Sequence, residues 1–215
     1  MTEPISVRAR FERFPATVKG AFIFRGEDPD PHQVILHGAR VVLVGPGGSA
    51  EVPIAPVTLD VIPHRDVFVP FELPVSELDP GWYTLVCDVE IDGVPDSYDG
   101  GRRFCVPWPR ATVRRGTVKV ERDVALGDAT VHVEQLDCAG ESVKLLFRIE
   151  PPGPVSVRLT ADGRRLEILE SEVDEESGRG RVAAYPVLRT DAALLVELKG
   201  KGRGADGALQ VPLGD

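Results

Sequence analysis

The chain of 215 residues carries a formal net charge of −9, with 42% hydrophobic and 27% charged residues. These values are ordinary for a globular protein and exclude a wholly disordered or fibrous chain. The acidic excess excludes a dedicated nucleic-acid binder, because neutralising phosphates requires clustered Lys and Arg. The length suits two domains of about 100 residues each, the usual size of a β-sandwich.

Alternating apolar residues, which are typical of half-buried β-strands, recur through the first half of the chain. Clusters of Gly, Pro and Asp stand between the alternating segments and predict turns that join the strands. The apolar segments are residues 5–12, 18–24, 41–45 and 67–73, and the turn clusters are residues 26–31 and 45–48.

The segment LDPGWYTLVCDVEIDG, residues 78–93, carries the most specific motif in the chain. Asp79, Gly81, Tyr83 and Leu85 follow the spacing D-x-G-x-Y-x-L, which resembles the D-x-G-x-Y-x-C signature of immunoglobulin domains. The resemblance implies a tyrosine corner, in which the Tyr83 hydroxyl bonds to nearby backbone. It also implies that Leu85 fills the disulfide position with apolar packing, which suits a reducing compartment.

Strand alternation restarts after residue 110 and yields about seven further apolar segments. Asp162-Gly163, between two of them, predicts a tight hairpin turn. The acidic stretch 170–180 predicts a long, solvated hairpin connection. In its order of strands and turns this half is similar to small immunoglobulin-like domains of bacterial multidomain proteins.

The two halves together predict an all-β protein of two tandem immunoglobulin-like antiparallel β-sandwich domains, residues 1–109 and 110–215. Between them, in PWPRATVRRG, prolines flank Trp108 and predict a short, semi-rigid, Pro-rich linker.

No export or membrane signal is visible in the sequence. The first residues, MTEPISVRARFERF, lack the apolar core of a signal peptide, and no stretch approaches the ~18 apolar residues of a membrane span. Cys87, Cys105 and Cys138 form an odd and sparse set, unlike a secreted disulfide framework. We therefore expect a cytoplasmic protein with no membrane span.

Two groups of residues have metal-ligating side chains, and for both the sequence favours a simpler interpretation. His132 and Glu134 alternate with Val131 and Val133, so we expect them on the solvated face of a strand, with Cys138 farther along. Aspartates accompany His32 in DPDPH and recur in IDGVPDSYDGG, where they could hold a surface metal ion or a weakly bound calcium ion. Turn formation by Asp explains both stretches without a metal, and no cofactor is predicted.

The sequence contains no G-x-S-x-G, phosphate-binding glycine loop or H-E-x-x-H motif. Cys87 is predicted to face the core, and Cys105 to be the more exposed thiol because it points away from its neighbours Phe104 and Val106. Basic clusters, which we interpret first as solvated surface and second as an anion or partner site, are Arg102-Arg103, Arg110-Arg114-Arg115 and Lys199-Lys201-Arg203.

A full set of core-building residues without a catalytic constellation favours a non-catalytic protein-protein interaction or scaffold protein. We expect partner binding to involve Trp82, Trp108 and Arg110, and homo-oligomers to be possible through exposed strand edges. The first alternative is a carbohydrate- or small-ligand-binding module, for which Trp82 and Trp108 are the available tryptophans. An enzyme with an unrecognised site is the less favoured alternative.

Overall fold

The computed structural model describes residues 4–45, 47–200 and 206–214. Within these ranges the regular structure consists of seventeen β-strands and contains no helix. Contacts between Cα atoms divide the chain into two compact units, one up to Val106 and the other from Pro107. The all-β prediction is confirmed.

Unit 1 contains eight strands in two antiparallel sheets, one with the order β1-β2-β6 and one with the order β4-β3-β7-β8, in which β5 also pairs with β3. The strands are β1 (Ile5–Arg13), β2 (Thr17–Gly26), β3 (His32–Leu43), β4 (Ser49–Val52), β5 (Val57–Val61), β6 (Asp66–Pro74), β7 (Gly81–Ile91) and β8 (Val94–Val106).

The strand order of unit 1 is that of an immunoglobulin-like sandwich. With β1, β2 and β6 as strands A, B and E, and β3, β7 and β8 as strands C, F and G, one sheet reads A-B-E and the other C-F-G. Inward-facing side chains of both sheets form one core that includes Phe22, Phe24, Leu36 and Leu85. At the sandwich edge, a Cβ on Gly100 would lie 2.8 Å from that of Ala9, so this glycine lets β8 approach β1 closely.

The tyrosine corner implied by the immunoglobulin resemblance is present. The Tyr83 hydroxyl donates a hydrogen bond to the carbonyl oxygen of Asp79 at 3.0 Å. The buried ring stacks on Phe104 with a centroid separation of 5.6 Å. Leu85 is fully buried at the position of the disulfide cysteine, as predicted.

Unit 2 contains nine strands in two sheets, of order β14-β15-β11-β10-β9 and β13-β12-β16-β17. The strands are β9 (Arg115–Leu126), β10 (Ala129–Ala139), β11 (Val143–Glu150), β12 (Val155–Ala161), β13 (Arg164–Arg165), β14 (Ile168–Val173), β15 (Arg179–Ala184), β16 (Ala193–Gly200) and β17 (Asp206–Pro212).

Eight strands of unit 2 repeat the immunoglobulin order. The strands from β10 to β17 are named A, B, C, C′, D, E, F and G in chain order. The two sheets then read D-E-B-A and C′-C-F-G. The ninth strand, β9, precedes strand A and extends its sheet by pairing along the whole of β10. A separate core that includes Leu145, Phe147, Leu159 and Val196 fills the sandwich.

Two Asp-Gly steps form the tight turns expected of that dipeptide. Asp162 and Gly163 both have positive φ, 44° and 84°, as a type I′ turn requires. Asp92 and Gly93, between β7 and β8, have φ values of 50° and 85° and form an equivalent turn. The predicted hairpin at 162–163 is therefore confirmed.

The interpretation of residues 170–180 as a long solvated connection is wrong. Most of this stretch belongs to β14 and β15, and the turn between them covers only about five residues. Arg181 forms ion pairs with Glu170 at 3.3 Å and with Glu172 at 3.0 Å. The acidic side chains therefore lie in a cross-strand charge ladder, which the composition of the segment does not reveal.

The Pro-rich segment predicted as a linker lies at the start of unit 2. The amide of Arg114 donates to the carbonyl of Val187 at 2.9 Å, and the amide of Arg189 donates to the carbonyl of Thr112 at 2.9 Å. Val113, between these bonds, is fully buried. The backbone from Thr112 onward is therefore fixed within unit 2.

Candidate interaction surfaces

Trp82 lies on the outer face of the sheet that contains β7, opposite the core-facing Tyr83. It is half-buried and shares this face with Val42 and Val86, which are also half-buried. Farther along the strand, Asp88 forms an ion pair with Arg40 and accepts a hydrogen bond from Ser97 at 2.9 Å. The Trp82 face is thus apolar at one end and charged at the other.

The expectation that Cys105 is the exposed thiol is wrong. Cys105 does point to the outer face of β8, but it is only 5% exposed. Its direct cross-strand neighbour is Trp82, and side chains in such positions lie side by side. The burial of this thiol therefore depends on strand register, which alternation along one strand does not reveal.

All three cysteines of the chain lie among the described residues, and all are buried free thiols. Cys87 faces the core, as predicted, and burial raises the pKa of its thiol to about 12. Burial also raises the pKa of Cys138. Neither thiol has the thiolate character that a nucleophile needs near neutral pH.

Trp108 and Arg110 belong to unit 2, whereas Trp82 belongs to unit 1. Trp108 is half-buried and packs edge-on against Tyr185, with ring centroids 5.3 Å apart. Arg110 is exposed in the turn that follows. Within unit 2, the aromatic pair and the guanidinium form a small mixed surface.

The most exposed aromatic side chain of unit 1 lies on the outer face of the β1-β2-β6 sheet. Phe68, on β6, is 58% exposed. Its cross-strand neighbour Ile23, on β2, also points away from the core and yet is only 1% exposed. Ala21 and Pro70 form the adjacent cross-strand pair on the same face. We call these four residues the Phe68 patch.

Basic side chains surround the Phe68 patch. Arg8 and Arg25 both pair with Asp66, at 3.1 and 3.4 Å, and Lys19 pairs with Glu72 at 3.0 Å. The outer face of this sheet carries four of the nine basic residues in the sequence up to Val106, and three of the sixteen acidic ones. The Phe68 patch therefore lies on a face that is slightly basic, in a unit that is strongly acidic.

Two strand edges are poorly suited to pairing with another chain. Among the described residues, β2 is the sheet partner of strand β6. Proline has no N–H group to donate, so Pro70 and Pro74 can pair with β2 only if their nitrogens face the open side of β6. Those two positions supply no N–H group for a new strand. The edge strand β14 carries Glu170 and Glu172, and charged side chains also oppose edge pairing.

The outer face of the β14-β15-β11-β10-β9 sheet carries two adjoining depressions of about 480 and 340 Å³, which share Glu134. The smaller one includes His132 and Arg148, and the larger one includes Arg179 and Arg181. Within the part of the chain that the structure describes, the Nε atoms of Arg148 and Arg181 are buried and have no hydrogen-bond partner. Each depression is lined by both basic and acidic side chains that can form hydrogen bonds.

His132 lies on this outer face as predicted, because its neighbours Val131 and Val133 are fully buried. Its ring nitrogens lie 2.6 Å from a carboxylate oxygen of Asp123 and 3.2 Å from one of Glu121. Hydrogen bonding to Asp123 and then to Glu121 raises the pKa of His132. This imidazole is therefore held by its own hairpin.

The aspartates that could have formed a calcium loop have separate partners. Asp92 contacts His32, and Asp96 accepts a hydrogen bond from the amide of Ser97 at 2.7 Å. Asp99 accepts one from Thr84 at 2.7 Å. Across residues 4–45, 47–200 and 206–214, no group of three or more His, Cys, Asp or Glu side chains has a geometry suited to a metal ion.

Two arginines of the predicted basic clusters have contacts within their own units. The Arg102 guanidinium lies over the ring of Phe11, 5.5 Å from its centroid. Arg114 donates to the carbonyl of Leu213 at 2.9 Å and is part of the unit 2 framework. Lys201 and Arg203, from the third cluster, lie outside the described residues.

Sequence reasoning missed the Phe68 patch and the contacts of His32. The signal for Phe68 is present in the segment 67–73, because the alternation of Val67, Val69 and Phe71 on one face leaves Phe68 on the other. No local signal joins His32 to Asp92, which is 60 positions away and is reached only through the pairing of β3 with β7.

No protein-family model and no curated protein sequence matches the chain. Among solved structures it is similar to a conserved domain protein from Bacillus anthracis, with 11% identity, a TM-score of 0.35, and coverage of 100% of this chain and 89% of that one. It is also similar to a marsupial T cell receptor, with 13% identity, a TM-score of 0.28, and coverage of 98% and 62%. Both likenesses are distant, and the immunoglobulin-like assignment rests on the strand order given above.

The described ranges contain no helix with the length and apolarity needed to cross a bilayer. The fold and the surfaces together define an all-β protein of two immunoglobulin-like sandwiches.

Proposed function

We propose that the chain is a non-catalytic protein-binding module and that the Phe68 patch is its principal contact surface. The exposure of Phe68 beside a fully covered Ile23 is the observation that carries this proposal. Aromatic side chains at the centre of a patch are favoured anchors of protein interfaces, and a charged rim is typical of such surfaces. A reducing, cytoplasmic compartment accords with the three free thiols.

The partner is a segment of another protein rather than a second copy. Three strands about 4.8 Å apart and nine residues long offer a face of roughly 400 Å². That is about half of the ~800 Å² per partner in a standard stable interface. The proline-lined edge of β6 does not extend this surface by strand pairing. The basic rim favours an acidic segment with an apolar anchor.

Capture from native lysate with three forms of the full chain tests this proposal: wild type, Phe68→Asp and Val94→Asp. Val94 is 65% exposed at the start of β8 and provides a matched control. We expect at least one protein to lose about tenfold or more of its retention with Phe68→Asp and to keep it with Val94→Asp. Titration of that purified protein then measures the same loss directly. An identical captured set for all three forms would contradict the proposal.

A carbohydrate or another small polar ligand is the second candidate, on the observation of the two adjoining depressions in unit 2. Their lining of Arg, Glu and His side chains suits a ligand with many hydroxyl or charged groups. Trp108 and Arg110 remain proposed contact residues of unit 2, and Trp82 a proposed second contact of unit 1. A glycan array probed with wild type and Arg148→Ala distinguishes this candidate, because a sugar in the depressions requires the arginine.

A further inference from the structure

His32 joins two loops at one end of unit 1. It is the first residue of β3, and its side chain is 11% exposed. Its Nδ1 lies 2.6 Å from Oδ2 of Asp92, in the turn between β7 and β8. Its Nε2 lies 2.8 Å from Oδ1 of Asp28, in the loop between β2 and β3. The imidazole thus bridges two carboxylates from separate loops.

Both contacts at these distances require a charged ring. A neutral imidazole has one N–H group and can donate to one carboxylate only, whereas the imidazolium donates to both. Hydrogen bonding to Asp92 and then to Asp28 raises the pKa of His32 above its ordinary value of 6.5. The hydrogen bond from His32 also holds the pKa of Asp92 below its ordinary range.

Each carboxylate is also bonded to backbone in its own loop or the adjacent strand. Oδ1 of Asp92 accepts from the amide of Gln33 at 2.9 Å, and the amide of Asp92 donates to the carbonyl of Gln33 at 2.9 Å. Oδ1 of Asp28 accepts from the amide of Asp30 at 3.2 Å. These bonds position the carboxylates, and the imidazolium connects one to the other.

Other charged groups near this end of unit 1 have their own partners or point elsewhere. On β5, Val61 lies opposite His32, whereas Asp60 lies opposite Gln33 and so projects from the other face of the sheet. Glu90 on β7 also faces outward and pairs with His37 at 3.4 Å. Among the described residues, the other charged groups near this end are the exposed Asp30, in the same loop as Asp28, and Glu27, which accepts a hydrogen bond from Ser6 and lies near Arg25. His64 and Arg65 are exposed in the turn before β6.

We propose that His32 is a pH-dependent clamp, which ties the β2–β3 loop to the β7–β8 turn when its ring is charged and releases one of them when its ring is neutral. The clamp is complete at pH values below the raised pKa of His32 and above the lowered pKa of Asp92. It weakens as the pH rises through the pKa of His32, because one of the two hydrogen bonds is then lost.

Nuclear magnetic resonance of the full chain tests the clamp. Ring signals give the titration midpoint of His32, and hydrogen-exchange protection factors of the Asp30 and Gln33 amides report the two loops. We expect a midpoint above 6.5 and a fall in protection of about three- to tenfold, in at least one loop, as the pH rises through it. A midpoint at or below 6.5, or protection that does not change through the midpoint, would overturn the proposal.

His132→Gln is the matched control, because His132 also lies between two carboxylates but is 40% exposed, and both carboxylates belong to its own hairpin. It should leave the pH dependence of the Asp30 and Gln33 amides unchanged. His32→Gln should abolish that dependence and keep the two amides at the low protection that the wild type shows at high pH.

If His32→Gln fails to fold, Asp92→Asn provides the second test, and it should lower the midpoint of His32. A wild-type midpoint in Asp92→Asn would count against the clamp.

Discussion

Tyr83 stabilises unit 1 in two ways. Its hydroxyl donates a hydrogen bond to the carbonyl oxygen of Asp79, and its buried ring stacks on Phe104. The hydrogen bond and the packing of the ring are separate contributions to stability, so two substitutions can distinguish them.

Tyr83→Phe removes the hydroxyl but keeps the ring. We expect it to lower the free energy of unfolding by about 0.5–1.5 kcal/mol, the net value of one hydrogen bond. Tyr83→Ala also removes the buried ring and should lower it by about 3–5 kcal/mol. Urea denaturation measures both. Equal losses for the two variants would show that the ring contributes little.

Trp82 and Cys105 provide a second test at the residue scale. If the indole shields its cross-strand neighbour, Trp82→Ala should expose the Cys105 thiol. We expect Cys105 in the native variant to react with a thiol reagent at least about tenfold faster than in wild type, because reactivity follows access to the thiolate. Cys87 serves as the internal control, since it lies in the core. Unchanged labelling of Cys105 would mean that another side chain covers it.

Among the elements, β6 shows how an edge strand is kept from pairing. Pro70 and Pro74 remove two donors from its open side. The variant with both prolines changed to Thr restores these donors and adds a β-branched residue at each position. We expect it to self-associate at concentrations where wild type is monomeric, as measured by sedimentation velocity. Pro80→Thr, in the turn before β7, is the control and should behave as wild type.

How far the sequence predicts an element depends on whether the relevant information is local. Alternation located the strands because a strand has one buried and one solvated face, and it oriented His132 and Cys87 correctly. It misassigned 170–180 because the charges of Glu170 and Glu172 are offset by Arg181 across the hairpin, and that pairing depends on register. The contacts of His32 with Asp92 and of Cys105 with Trp82 also depend on how separate strands pair, which alternation along one strand does not show.

At the scale of the whole molecule, each unit has its own core and its own pair of sheets. We therefore expect a fragment ending at Val106 to fold alone, with dispersed amide resonances and a cooperative unfolding transition. A fragment starting at Pro107 should do the same. An unfolded fragment in either case would show that the two units depend on each other for stability.

Strand β9 gives unit 2 a favourable order of synthesis. It leaves the ribosome before β10 and β11, and these three strands pair as consecutive hairpins. Three of the five strands of the sheet can therefore pair with neighbouring sequence before β14 and β15 exist. In the finished unit β9 also meets β17, where a Cβ on Gly207 would lie 2.6 Å from Val124. The nascent chain thus covers one side of β10 from the start, and the last strand of the unit closes against the first.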